Sequence, residues 1–486
     1  MTENHTHSPP PYHTNEQVVA IVGAGFCGTM VAARLLRGIT NPRTRIVLLN
    51  RPHADKSSSG LARGLAYGTS SPDHLLNVPA GRMSAFDNKP DDFLNFLHAN
   101  QIAAEGGSFV PRFWYGRYLQ NILDGAAASS AAGFRVCHQV VSSIQPLGNS
   151  AHRQAYRLQF ADGNSMTADV VVLALGNLPP ANPVIAGNDE AGFFDSDRYI
   201  RDPWAEGALN AVDLRRPVLL MGTGLTMFDM VVSLRARAPS ALRLFALSRR
   251  GLWPQPHRPS VAAPAFDQAP PAILANTGAR QMLRAVRAHI VVVEKSGGNW
   301  RDVVAGLRPL TPQLWQRLPL AEQRRFLRHL KPYWETHRHR AAPAIFKVVA
   351  DAAASGELVS MAARIEAFVT HTQGVTVRVQ TRGDHRIETL DVGAVINCTG
   401  PSSDISGDAL LAQMAADGLI VADELRQGML VAADYRLGAE TSRTGGALYY
   451  VGPLLKARDW EATAVPELRV HAEALANILL KKLAQD

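Results

Sequence analysis

Residues 19–30 read VAIVGAGFCGTM, and residues 218–229 read VLLMGTGLTMFD. Each is a short apolar run that breaks into glycines and resumes with helical spacing. The first belongs to QVVAIV (17–22), a buried-strand candidate followed by turn signals. FCGTMVAARLLR then sets Met30, Ala33, Leu36 and Arg37 three and four apart, and TRIVLL (44–49) reads as a second strand. Strand, glycine loop, helix and strand within about 30 residues make a βαβ unit. The plan restarts after Pro217: PVLLMGTGLTMFDMVVSLRARA gives strand, loop and helix, and LRLFALSRRG gives the next strand. The expected fold is α/β, with two Rossmann-like dinucleotide-binding domains.

The glycines explain the duplication. Gly23 permits the tight turn out of the strand, Gly25 lets backbone N–H groups approach a pyrophosphate, and Gly28 lets helix and strand pack closely. The pyrophosphate then lies on the helix N-terminus, where unpaired N–H groups and the dipole favour an anion. The second strand of such a unit should end in an acid for the ribose hydroxyls. Here it ends at Asn50, a weaker acceptor, followed by Arg51. The second loop keeps Gly222 and Gly224 but has Met227 at the close-packing position, so helix and strand there should stand further apart. Thr226 and Asp229, on its first helical turn, are placed to cap the helix or reach the ligand. The next strand ends in Ser248, Arg249 and Arg250, where NADP-binding folds place cations for the 2′-phosphate. NADP is therefore the expected second nucleotide, with NAD as the alternative. Two such sites in one chain imply an electron donor and an acceptor, and NAD(P)H with FAD is the common pair.

Phe134 to Pro180 reads as a strand, a hairpin turning at Asp162-Gly163, an apolar strand and the loop ALGNLPP; GVTVRVQTRGDHRIETLDVGAVINCTGP repeats that pattern. Between the repeats, LTPQLWQRLPLAEQRRFLRHLKPYWETHRHR carries Leu, Trp and Phe at helical spacing. The expected organisation is a disordered tail over 1–16, an FAD-binding domain over 17–210 completed by 395–486, an NAD(P)-binding domain over 211–261 completed by 345–394, and a helical insertion over 262–344. Composition bounds the rest. Three scattered cysteines among 486 residues, with no CxxC, argue against a disulfide scaffold, a zinc site or a dithiol redox centre and fit a reducing cytoplasm. No apolar run approaches the roughly 20 residues of a membrane span. Neither a metal site nor a membrane partner is expected. The net charge of +8 suits phosphate-bearing cofactors or an acidic substrate.

Further blocks carry a family resemblance. GLARGLAYGTSSPDHLLNVPAGRMSAF, PRFWYGRYL, GTGLTMFDMVVSL, LSRRGLWPQPHRP, RFLRHLKPYWETHRHR and DWEATAVPELRVHA together resemble the YdhS-like FAD/NAD(P)-binding proteins of bacteria, from about Val18 to the C-terminus. More distantly, the two-loop plan is similar to the flavin monooxygenases that hydroxylate amines or insert oxygen beside ketones. In those a glycine of an ATG-like loop lines the cofactor crossing; Gly176 (in ALG) and Gly400 (in CTG) hold that place, with Leu175 departing from the expected Thr. The resemblance implies that Asn77 and Arg82 contact FAD. It also implies that DWEATAVPEL, with Trp460 and Glu461, brings a helix N-terminus to the flavin pyrimidine, where positive dipole stabilises reduced-flavin charge.

These readings converge on an FAD-dependent NAD(P)H oxidoreductase, expected to be a monooxygenase that oxygenates a small molecule through an oxygen adduct at flavin C4a. Its chemistry rests on positioning and water exclusion, so no catalytic dyad is required and none is visible. A flavin reductase or dehydrogenase without oxygen insertion is the first alternative, and a non-catalytic nucleotide-binding sensor the second. Candidate substrate contacts are His257 in PQPHRP and His337 and Arg340 in HRHR, a basic face for the NADPH phosphate or an acidic substrate. His337 and His339 are two apart on a helix and face different ways, which speaks against metal ligation. No nucleic-acid motif is present, so no such partner is expected; spacing does not fix the oligomeric state.

Overall fold

The computed structural model describes residues 16–52, 61–150, 153–185, 192–238, 242–258, 271–438 and 447–485. The tail expected over 1–16 lies outside them apart from Glu16, as do residues 262–270 of the expected insertion.

The strands run β1 (Gln17–Val22), β2 (Thr44–Asn50), β3 (Gly133–His138), β4 (Val141–Ser150), β5 (Arg153–Phe160), β6 (Ser165–Ala168), β7 (Val170–Leu173) and β8 (Tyr199–Ile200). They continue with β9 (Val218–Met221), β10 (Leu244–Ser248), β11 (Leu358–His371), β12 (Gly374–Thr381), β13 (Ile387–Val392), β14 (Ala394–Asn397) and β15 (Leu448–Tyr450). The first sheet has the order β15-β7-β1-β2-β3, all parallel. The second has the order β13-β12-β11-β10-β9-β14-β8, parallel from β11 to β8 and antiparallel through the β11-β12-β13 meander. β4-β5-β6 form a small antiparallel sheet. The chain thus folds as two Rossmann-like units. Every residue of β1, β7, β9 and β14 is buried, as expected of parallel strands covered on both faces. The second sheet takes in β8 and β14, so that unit reaches outward of the expected edges at 211 and 394.

The two glycine loops superpose in kind. Gly23 has φ +111° and Gly222 φ +109°, a region L side chains rarely adopt. Each is pressed against the chain leaving the neighbouring strand. A Cβ on Gly23 would lie 2.3 Å from the Ala174 carbonyl oxygen after β7, and one on Gly222 would lie 2.5 Å from that of Cys398 after β14. Both loops thus open at the carboxyl ends of central strands, where doubly wound sheets bind ligands. A Cβ on Gly28 would come 1.9 Å from the Gly23 oxygen, yet Met227 occupies the equivalent place and is fully buried. The first turn of the second helix is the looser one: Phe228 N to Gly224 O is 3.3 Å, against 3.0 Å for Thr29 N to Gly25 O.

The insertion is helical from residue 271 onward, with helices Ala279–Lys295, Trp300–Gly306, Thr311–Arg317, Leu320–His329 and Lys331–Arg338. It is clamped to the chain's last segment. Trp315 stacks on Trp460 at 4.7 Å and donates from Nε1 to the Ala457 oxygen. Arg308 pairs with Glu467 at 2.7 Å, and Arg338 with both Glu461 and Glu467. The last helix, Val465–Leu483, then packs on helix Phe26–Gly38, with Gly38 against the Leu480 methyls and Arg34 paired to Glu473.

Candidate functional site

Each glycine loop leads into a 13-residue helix, Phe26–Gly38 or Leu225–Arg237, whose N-cap is a glycine (Gly25, Gly224). Neither N-terminus has a side-chain cap or an acid in its first turn, so the backbone N–H groups stay available to an anion. Thr226 therefore does not cap its helix, and Asp229 is turned inward. These bare N-termini, with open space beside Gly224 where a Cβ would meet nothing within 4 Å, fit a dinucleotide pyrophosphate at each loop.

Between the two units lies a cavity of about 400 Å³. Its walls include Leu225 and Thr226 from the second loop's helix, the turn from Asn77 to Met83, Gly400 and Pro401 after β14, and Thr463 to Val465. The last three residues begin helix Val465–Leu483, another N-terminus without a side-chain cap. Leu65 to Tyr67 close a further side. That segment also reaches the first loop, where a Cβ on Gly64 would lie 3.1 Å from the Gly25 Cα.

The wall is joined across the two units by a pair that sequence spacing does not reveal. Arg112 Nη2 donates to both oxygens of Asp229 at 2.9 and 3.0 Å, and its Nε donates to the Leu75 oxygen. Beside it, His74 bridges Thr69 and Ser233, each at 2.7 Å. Burial lowers the His74 pKa, keeping the ring neutral between its hydroxyl partners.

Arginine dominates the electrostatics. Seven line the cavity: Arg82, Arg112, Arg258, Arg301, Arg308, Arg338 and Arg340. Arg112, Arg258, Arg308 and Arg338 each have a carboxylate partner. Arg301 donates to the Pro256 oxygen and Asn299 Oδ1. Burial, followed by the charges of Arg301, Arg338, Arg82 and Arg308, pushes the Arg340 guanidinium down to about 10. Its Nε is buried without a hydrogen-bond partner.

His257 sits within this field. Its Nε2 donates to the Asn77 oxygen at 2.9 Å, which leaves Nδ1 as the acceptor of a neutral ring. Burial, then Arg340 and the other arginines, pushes its pKa down to about 4. That lies below the unfolded value of about 6.5, so the folded protein binds fewer protons between the two. The resulting stability is present above about pH 6.5 and is lost as pH falls toward the folded value. It amounts to at most about 3 kcal/mol. Urea unfolding at pH 7 and pH 4.5 should show a smaller loss for His257→Gln than for the wild type; equal losses would refute a neutral His257.

The other sequence-predicted residues fall into two groups. Asn77, Arg82, Thr226, His257, Arg340 and Gly400 line the cavity together. Asn50 ends β2, Gly176 follows β7 with φ +72°, and Arg249 is exposed after β10. Arg250 does not turn to the second loop: it donates to the Arg328 and His329 carbonyls and lies over Tyr333, capping helix Leu320–His329. Trp460 and Glu461 do not line the cavity. Trp460, at φ +58°, is buried against Trp315, and Glu461 accepts from Trp334 Nε1 and pairs with Arg338. They hold the insertion in place while the following residues reach the cavity. His337 packs on Trp300 and donates from Nδ1 to the Tyr333 oxygen; the lining histidine of that run is His339. Arg112, Arg301 and His339 are cavity residues that sequence reasoning did not assign to a site, and Asp229, expected to cap its helix or reach the ligand, pairs with Arg112.

Comparison with known proteins agrees with this architecture. A family model described as FAD-NAD(P)-binding matches residues 20–178. No curated protein matches the chain. Among solved structures, reduced ornithine hydroxylase of Pseudomonas aeruginosa is similar with a TM-score of 0.63 at 17% identity, covering 96% of this chain and 100% of that one. L-lysine 6-monooxygenase of Pseudomonas syringae gives 0.62 at 16% identity, with 97% and 99% covered. Ornithine N-hydroxylase of Kutzneria sp. 744, solved with reduced FAD, NADP+ and L-ornithine, gives 0.61 at 16%, with 96% and 100% covered. At these identities the likeness is one of fold: this chain has the two-unit architecture of those flavoenzymes over nearly its whole length.

Proposed function

We propose that this protein is an FAD- and NADPH-dependent monooxygenase acting on a small molecule, of the YdhS-like kind, working in the reducing cytoplasm that its three free thiols favour. The observation that carries the reading is a cavity touched by both glycine-loop units, of a volume suited to a small ligand. The similar structures named as ornithine and lysine hydroxylases support it.

FAD would be held at Gly23, Gly25, Gly28 and Asn50, with Gly176, Asn77 and the N-terminus of helix Val465–Leu483 toward its ring. NADPH would be held at Gly222, Gly224 and Thr226, with Gly400 at the crossing and Arg249 toward the 2′-phosphate. When bound, the flavin supplies hydride acceptance and oxygen activation, chemistry no side chain provides. The chain's own residues orient and enclose. Backbone N–H groups of the two helices fix the phosphates, and the Arg112–Asp229 pair holds the units at one spacing. Leu65, Ala66 and Tyr67 give one side of the cavity an apolar lining. Neutral His257 offers Nδ1 as a hydrogen-bond acceptor to a substrate N–H or O–H. Neither buried cysteine serves as a redox centre; burial alone pushes the Cys27 thiol up to about 12.

Anaerobic addition of NADPH to the FAD-loaded protein tests the proposal. Bleaching of the visible flavin band is the expected result, with oxygenated product on readmitting air and substrate. A flavin that stays oxidised would overturn the NADPH assignment. Bleaching followed only by peroxide release or quinone reduction, whatever small molecule is added, would make the protein a reductase.

A further inference from the structure

The cavity's charge is unbalanced. Four of its seven arginines are matched to carboxylates, whereas Arg82, Arg301 and Arg340 have no carboxylate within ion-pair distance among the described residues. On the opposite side of the balance, Asp202 is the lining carboxylate without a cationic partner; it accepts from the Trp204 backbone N–H. Three unmatched guanidinium groups face one unmatched carboxylate. Burial first, and then the charges of neighbouring arginines (Arg308 on Arg82, Arg258 on Arg301, and Arg301, Arg338, Arg82 and Arg308 on Arg340), depress all three guanidinium pKa values. Such an arrangement costs stability in the empty protein and is relieved by an anion.

The cofactor phosphates have donors elsewhere, at the bare helix N-termini after Gly25 and Gly224. The unmatched arginines come instead from the turn Ala80–Arg82 and from the insertion, on helix Trp300–Gly306 and just beyond helix Lys331–Arg338. We infer that Arg82, Arg301 and Arg340 form an anion seat for the substrate, which is a small acid carrying two negative charges, such as a dicarboxylate. The inference rests on the monooxygenase reading for what happens to that acid. It sets the protein apart from the similar structures named for ornithine and lysine: a substrate ammonium group meets a lining that repels it.

The test uses FAD-loaded protein and two probes of equal chain length and opposite charge, glutarate and cadaverine, followed by calorimetry and by perturbation of the flavin band. Glutarate should bind at least ~10-fold more tightly than cadaverine, and each of Arg340→Gln and Arg82→Gln should weaken it roughly 10-fold, the scale of one charge-assisted hydrogen bond. NADPH affinity should stay within about twofold in both variants. Arg82 is the most solvent-accessible of the three and has no ion pair among the described residues, so its replacement leaves folding intact if Arg340→Gln does not. Equal or tighter cadaverine binding, or glutarate binding unchanged in both variants, would overturn the seat. Parallel losses of NADPH and glutarate affinity would assign the arginines to the cofactor phosphate instead. Failure of the flavoenzyme reading appears separately, as a flavin that NADPH does not bleach.

Discussion

Gly23→Ala is expected to abolish FAD retention and to destabilise the protein by on the order of 3 kcal/mol. Two costs combine. An L side chain is strained at φ +111°, and the new methyl would sit 2.3 Å from the Ala174 carbonyl oxygen, which is backbone and cannot rotate away. The strand-to-helix turn or the end of β7 must shift, and either movement displaces the N–H groups that face the pyrophosphate. Flavin absorbance after desalting and urea unfolding of the apoprotein measure the two effects. Gly224→Ala is the control. Its φ is −84°, and a Cβ there meets nothing within 4 Å. It should cost about 1 kcal/mol or less in stability yet weaken NADPH binding, because the methyl occupies only the space through which a phosphate approaches. Equal stability in Gly23→Ala and wild type would contradict the close contact at Ala174.

Asp229→Ala is the second large effect. The Arg112 and Asp229 side chains are 10% and 8% exposed, so removing the carboxylate leaves a buried guanidinium with the Leu75 carbonyl and the Trp204 ring as its partners among the described residues. Breaking such a pair from one side costs about 3–5 kcal/mol, whereas replacing both partners by apolar residues is often near neutral. The double variant Arg112→Met/Asp229→Leu should therefore recover most of the stability. It should not recover the rate of flavin reduction, because Asp229 lies one turn beyond Thr226 and the pair sets where that helix stands against the first unit. A double variant as unstable as Asp229→Ala would show that packing, rather than the uncompensated charge, sets the cost.

Both βαβ units were legible because their signals are local: an apolar strand, glycines at fixed offsets, and a helix within a few residues. The hairpins at Gly163 and Gly383 were legible for the same reason. The cavity was readable only in part. Asn77, Arg82, His257 and Arg340 stood out by block or composition. By contrast, Arg112 and Asp229 are 117 residues apart and acquire their relation only when the units dock. Arg250 and His337 misled because a basic residue near a motif does not declare where its side chain turns; one caps a helix and the other packs on Trp300. Trp460 and Glu461 misled similarly, since their block does reach the cavity, but three residues later. The domain edge at 394 cut through β14 because an apolar strand carries no mark of which sheet it joins.

The pairing of β15 with β7 has a consequence for synthesis. During translation, chains begin folding from the N-terminal side. β1, β2, β3 and β7 leave the ribosome early, but the edge of β7 stays unpaired until residue 448 emerges, and helix Phe26–Gly38 waits longer for the helix over 465–483. The second unit is complete in sequence by residue 397. The nascent chain therefore completes its second unit before its first, and a flavin held by the first unit would be captured only after the helix over 465–483 has emerged.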